Sequence, residues 1–149
     1  MDSGVPIDGI GFQSHIPKGF NPTSPEEIIR IADDFSSLGP ELQVTEFDFE
    51  TSNQDLQARY TQDFLTAIFS HQKMTGLITW TPFEYAKNNV PKPEAALIDK
   101  DLQFKPNGLV WYELINKRWM TKLSCYTDGD GYLNFRGFKG RYLVSISHA

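Results

Sequence analysis

The 149-residue chain has a single cysteine, Cys125, so no disulfide can form within it. No apolar run approaches the ~20 residues a membrane-spanning helix needs. The opening residues, Met1 to Pro6, show no basic segment ahead of an apolar stretch, so no signal peptide is expected in this chain. There is no basic surplus. Fourteen Lys and Arg face nineteen Asp and Glu, for a formal net charge of -5. That balance argues against a nucleic-acid or anionic-membrane partner, because little is available to neutralise phosphates. No Cys/His cluster suggests zinc, and no glycine loop is built to cradle phosphate. Neither a metal nor a cofactor is expected.

What is present is ordinary for a globular domain: 40% hydrophobic and 22% charged residues, long enough for a real core. Residues 7–15 read as a short strand in which Gly9 and Gly11 permit close backbone approach. A helix follows. Ser24 is placed as its N-cap, Pro25 in the first turn and Glu27 as the far side of a capping box. Ile28, Ile31, Ala32, Phe35 and Leu38 share one face, and Gly39-Pro40 ends it. A strand over 42–48 comes next, then a second helix over about 55–73, starting from Ser52 or Asn53. A strand at 77–80, an irregular stretch over 81–106 with four prolines, and a helix over about 107–119 complete this part. Alternating strands and helices imply a parallel sheet with helices outside it. Beyond residue 120 the pattern changes to three short β-type runs, 122–127, 132–138 and 141–146. Turns at Asp128-Gly129-Asp130-Gly131 and Lys139-Gly140 separate them. These runs predict a small antiparallel appendage, with Cys125 buried in one strand.

The most informative segment is Leu42-Gln43-Val44-Thr45-Glu46-Phe47-Asp48. Leu42 and Val44 point one way and Gln43 and Thr45 the other, and the strand ends among Glu46, Asp48 and Glu50. A carboxylate at the downstream end of a parallel strand is where a (β/α)8 barrel enzyme places its chemistry. One carboxylate is also half of a glycosidase site.

Several segments, in order, resemble the C-terminal part of a glycoside hydrolase family 10 barrel, the endo-β-1,4-xylanase family. IDGIGFQSHI (7–16) resembles its sixth strand. LQVTEFDF (42–49) resembles the seventh, which carries the nucleophile in a Thr-Glu-x-Asp run. GLITWTPFEY (76–85) resembles the eighth, and PKPEAALIDKDLQFKPN (91–107) the segment before the last helix. The tail is similar to β-rich extensions seen after the barrel in some members. The resemblance implies about three β/α units of a (β/α)8 (TIM) barrel over 1–120, followed by a β-rich extension over 121–149. It implies Glu46 as catalytic nucleophile, Gln13 and His15 beside it and the sugar, Trp80 as a wall of the substrate cleft, and Glu84 as the acid that follows that Trp. The implied activity is retaining hydrolysis of xylan or a related β-1,4-linked polysaccharide by double displacement, in a protein secreted as part of a longer chain.

Three departures qualify this. Glu84 stands where the family usually has Asp. Thr81-Pro82 replaces a Gly-containing turn. Lys87-Asn88-Asn89 occupies the region of a second Trp. A complete barrel has ~250 residues and eight strands, and the family's Asn-Glu acid/base pair has no counterpart here, since no Asn-Glu dipeptide occurs. The acid/base Glu is therefore expected outside this chain, in a preceding portion or a separate N-terminal barrel fragment, and the isolated chain is expected to be inactive.

Plainer readings stand beside these. Out of context, Glu46 is a solvated acid, His15 a structural histidine and Trp80 a core residue. Asp48 and Glu50 read as loop acids or supports for Glu46, and the Asp128 run as a hairpin turn rather than a calcium loop. The alternative to hydrolysis is a non-catalytic polysaccharide-binding or interaction module built from the same barrel fragment.

Overall fold

The computed structural model describes residues 4, 6–84 and 92–147. The chain divides into two compact units, Met1–Trp111 and Tyr112–Ala149, so the boundary falls ahead of the expected 120/121 position.

The first unit is built on parallel strands: β1 (Gly9–Phe12), β2 (His15–Ile16), β3 (Glu41–Phe49) and β4 (Met74–Thr79). β3 is central. β1 and β2 pair with one edge of it and β4 with the other, all parallel. The first expected strand is thus two short pieces. They are separated at Gln13-Ser14, where Ser14 adopts φ 61, a left-handed conformation uncommon outside glycine.

Helix α1 (Pro25–Ser36) crosses from β2 to β3, and α2 (Gln54–Ser70) from β3 to β4. Ser24 caps α1 by accepting from the Glu27 N–H. The reciprocal half of the capping box is not made, because the Glu27 carboxylate pairs with Arg30 instead. Asn53 caps α2 by accepting from Leu56 N–H at 3.0 Å. The core lies between sheet and helices: Val44, Phe47 and Phe49 from β3 meet Ile28 from α1 and Tyr60, Phe64, Ala67 and Ile68 from α2. Phe47 stacks on Phe64 with ring centroids 4.2 Å apart.

One irregularity positions the site. Between the Phe12–Val44 and His15–Asp48 pairs, β3 advances four residues while its neighbour advances three. Between Val44 and Phe47, β3 advances three while β4 advances two. Both ladders therefore place one extra residue of β3 around Thr45-Glu46, a β-bulge. The buried positions accordingly change parity, from Leu42 and Val44 to Phe47 and Phe49. Strict alternation would have set Glu46 and Asp48 on the helix-facing side with Val44. The bulge turns them to the opposite face, which also carries Gln43, Ile78 and Trp80. Ile78 is 57% exposed there, as expected of a barrel's inner face beside only part of its strands.

After β4, a 3-10 turn at Pro93–Ala95 leads to α3 (Pro106–Glu113), which continues as a π-helical turn over Leu114–Arg118. In the second unit the Asp128 turn forms as expected. Asp128 N–H donates to Tyr132 O at 2.8 Å, and its carboxylate accepts from the Tyr132 N–H at 2.7 Å. The three expected strands do not form among the described residues 121–147, and Cys125 is exposed rather than buried. The physical reason is the lack of a covered face. Leu143 and Ile146 are 96% and 92% exposed, and short hairpins without a packed layer are marginal in water.

Candidate active site

Glu46 sits at the bulge near the C-terminal end of β3, and His15 opens β2 beside it. His15 Nε2 lies 3.2 Å from Glu46 Oε2. The other ring nitrogen, Nδ1, lies 3.1 Å from Asp48 Oδ2. This second approach has ion-pair distance without hydrogen-bond alignment, and both buried atoms lack a hydrogen-bond partner among the described residues. We read it as an electrostatic contact rather than a formed hydrogen bond. Only an imidazole with a proton on each nitrogen could donate to both carboxylates.

Asp48 is 2% exposed, and a buried carboxylate needs a charged or hydrogen-bonded partner. Lys92 supplies one, with Nζ 3.0 Å from Asp48 Oδ1. Trp80 follows β4, and its backbone N–H donates to Phe47 O at 3.1 Å. Its ring stands edge-to-face on His15, centroids 5.9 Å apart at 83°, with half its surface open. An open indole next to a carboxylate suits a sugar ring, which presents apolar faces between its hydroxyls.

The structure thus brings Glu46, His15 and Trp80 together. Gln13 is an exposed neighbour two residues before His15. Glu84 lies elsewhere. Its N–H donates to Ile98 O at 2.8 Å, and it lines a hollow with Gln54, Glu94, Asp99 and Lys105. Burial there pushes the Lys105 ammonium below its ordinary range, against the opposing pull of Glu84, Glu94 and Asp99. The Lys87-Asn88-Asn89 departure lies outside the described residues. Among the described residues no cluster of His, Cys, Asp or Glu could hold a metal ion, and no helix is long and apolar enough to cross a membrane.

Lys92 was missed in the sequence, where it reads as one cation in a proline-flanked loop. Asp48 was legible only as an acid two positions after Glu46. The signal for their pairing is three-dimensional: β3 and the 92–95 loop meet.

Parallel β/α units with an acid–histidine–acid cluster at the downstream strand ends are the arrangement of part of a (β/α)8 barrel, whose sites lie at that end of the strands. The model for glycosyl hydrolase family 10 matches residues 1–112, and the chain belongs to that family. Endo-1,4-beta-xylanase 2 of Arabidopsis thaliana is 29% identical over 145 residues, 96% of this chain and 13% of that protein. Anti-sigma-I factor RsgI6 of Acetivibrio thermocellus is 26% identical over 145 residues, 97% of this chain and 18% of that protein. Among solved structures, xylanase 10B from Thermotoga petrophila in complex with xylobiose superposes with a TM-score of 0.63 at 25% identity, covering 78% of this chain and 38% of that one. The chain thus spans less than a fifth of the length of these two relatives and well under half of the xylanase barrel structure.

Proposed function

We propose that this chain is the nucleophile-bearing C-terminal part of a retaining endo-β-1,4-xylanase barrel. The observation that carries the reading is the Glu46 carboxylate near the end of a parallel strand, 3.2 Å from Nε2 of His15, whose ring in turn meets the open Trp80 ring. A Glu46 oxygen attacks the anomeric carbon of a xylosyl unit bound against Trp80. The bond to the leaving sugar oxygen breaks, and a second carboxylic acid protonates that oxygen. The same group, now a carboxylate, then takes a proton from water, which attacks the Glu46 ester and releases the sugar with retained configuration. In retaining enzymes the two carboxyl groups stand about 5–5.5 Å apart. In this proposal the second one comes from barrel strands outside the 149 residues, in a longer polypeptide or a separate N-terminal fragment. His15, by donating to Glu46, holds the nucleophile in place. A polymeric substrate is met outside the cell, so the whole protein is proposed to be secreted.

The test is hydrolysis of xylan, followed by reducing-sugar release. The chain alone is expected to release none. Adding the N-terminal portion of a family 10 barrel is expected to restore turnover, and Glu46→Gln to abolish it by several orders of magnitude. Turnover by the chain alone that survives Glu46→Gln contradicts the proposal.

A relative named as an anti-sigma factor rather than as an enzyme matches 97% of this chain, which leaves room for a second reading, a non-catalytic polysaccharide-binding or interaction module. Calorimetric titration with xylotriose separates the two. Binding by the chain alone, without hydrolysis and unchanged when the N-terminal portion is added, supports the second.

A further inference from the structure

Each oxygen of the Asp48 carboxylate has a basic neighbour. His15 Nδ1 approaches Oδ2 at 3.1 Å and Lys92 Nζ approaches Oδ1 at 3.0 Å. The three contacts link the groups in the order Lys92, Asp48, His15, Glu46, with charge able to alternate along this series. The Asp48 side chain is 1% exposed and that of Lys92 21%, so water screens this pair less than a surface pair.

The loop that delivers Lys92 is fixed from several sides. Gln57, 1% exposed on α2, donates to Glu94 O at 2.9 Å and to Phe49 O at 2.6 Å, joining the loop to the end of β3. Lys105 Nζ donates to Pro93 O at 3.2 Å and to Glu94 O at 2.9 Å. Lys18 reaches the Glu94 carboxylate at 2.8 Å. The backbone next to Lys92 is therefore anchored close to the end of β3, within reach of Asp48 for the Lys92 side chain.

We propose that Lys92 is a positioning residue whose charge neutralises Asp48 and so leaves His15 to serve Glu46. Without it, Asp48 would be a buried carboxylate left, among the described residues, with the His15 ring as its basic partner. His15 would then be drawn toward Asp48 and held in its charged form, and its Nε2 contact with the nucleophile would become secondary. Lys92 acts through Asp48 and His15 and does not touch the reacting atoms. This rests on the reading of Glu46 as nucleophile only for its catalytic consequence; the electrostatic chain is measurable without turnover.

The experiment is an NMR titration of the His15 ring in the full 149-residue chain, with three variants. Lys92→Met removes the charge. Lys92→Arg keeps it. Lys18→Met loosens the same loop at Glu94 without touching Asp48. Among the described residues, the titratable groups facing the ring are Glu46, Asp48 and, through Asp48, Lys92. Lys92→Met is expected to raise the His15 titration midpoint, because a positive charge near the ring is removed, while Lys92→Arg and Lys18→Met do not raise it. If Lys92→Met fails to fold, Lys92→Gln carries the same expectation. An unchanged midpoint in the charge-removing variants, or an equal shift in Lys18→Met, overturns the proposal. Loss of the xylanase reading alone leaves these outcomes as they stand.

Discussion

Tyr60 is 7% exposed, packed edge-to-face on Phe49 at 5.3 Å. Desolvation pushes its phenol up to about 12, a hydrogen bond involving the Thr23 backbone pulls the other way, and Asp63 adds to the rise. In the unfolded chain the phenol ionises near 10. The neutral form is therefore favoured by folding: its contribution is complete below pH ~10 and is lost as pH rises toward about 12. A loss of roughly 2–3 kcal/mol across that window is expected. Monitoring tyrosinate absorbance together with circular dichroism checks it, since Tyr60 should ionise only as the helix signal collapses. At this same scale, much of the candidate site was legible. Glu46, His15 and Trp80 stand in runs whose order resembles one family's strands. Lys92 was not legible, because its meaning lies in a contact with Asp48, 44 positions earlier in the chain.

Helices α1 and α2 could be read from their caps and periodicity because these signals are local. Ser24 and Asn53 accept from N–H groups three residues ahead, as N-caps do. The β3 bulge was not legible. Leu42-Gln43-Val44-Thr45 alternates cleanly, and nothing in Thr45-Glu46 itself announces an extra residue; the two flanking strands fix it through their register. The tail failed for the opposite reason. Its local β pattern is good, but no packed layer supports the strands. One close approach between elements was also invisible in the sequence. Gly108, buried in α3, faces the backbone carbonyl of Leu97, and an added Cβ would meet that oxygen inside contact distance. Gly108→Ala is expected to destabilise the first unit by roughly 1–3 kcal/mol despite alanine's better helix propensity. Urea unfolding followed by tryptophan fluorescence would read this as a lower midpoint at unchanged slope.

Across the whole molecule, the parallel sheet has apolar side chains on the face away from its helices. Ile78 and Trp80 are 57% and 51% exposed, and exposed apolar surface of this kind favours a covering partner. In a family 10 barrel that face is the interior, lined by the remaining strands. Ile78→Asp is therefore expected to leave the folding of the isolated chain nearly unchanged, because the position is already in water. The same change should block assembly with an N-terminal barrel portion, as seen by co-elution in size-exclusion chromatography. Assembly unaffected by Ile78→Asp would mean that this face is not the one covered. The central claim, that Glu46 is the nucleophile, has a direct chemical test. A 2-fluoro-xylobioside carrying a dinitrophenolate leaving group needs no acid catalyst for its departure, and its glycosyl ester is slow to hydrolyse. With the chain assembled with an N-terminal barrel portion, peptide mass spectrometry should find the added glycosyl group as an ester on Glu46. The label on another carboxylate, or unchanged labelling in Glu46→Gln, would contradict the account.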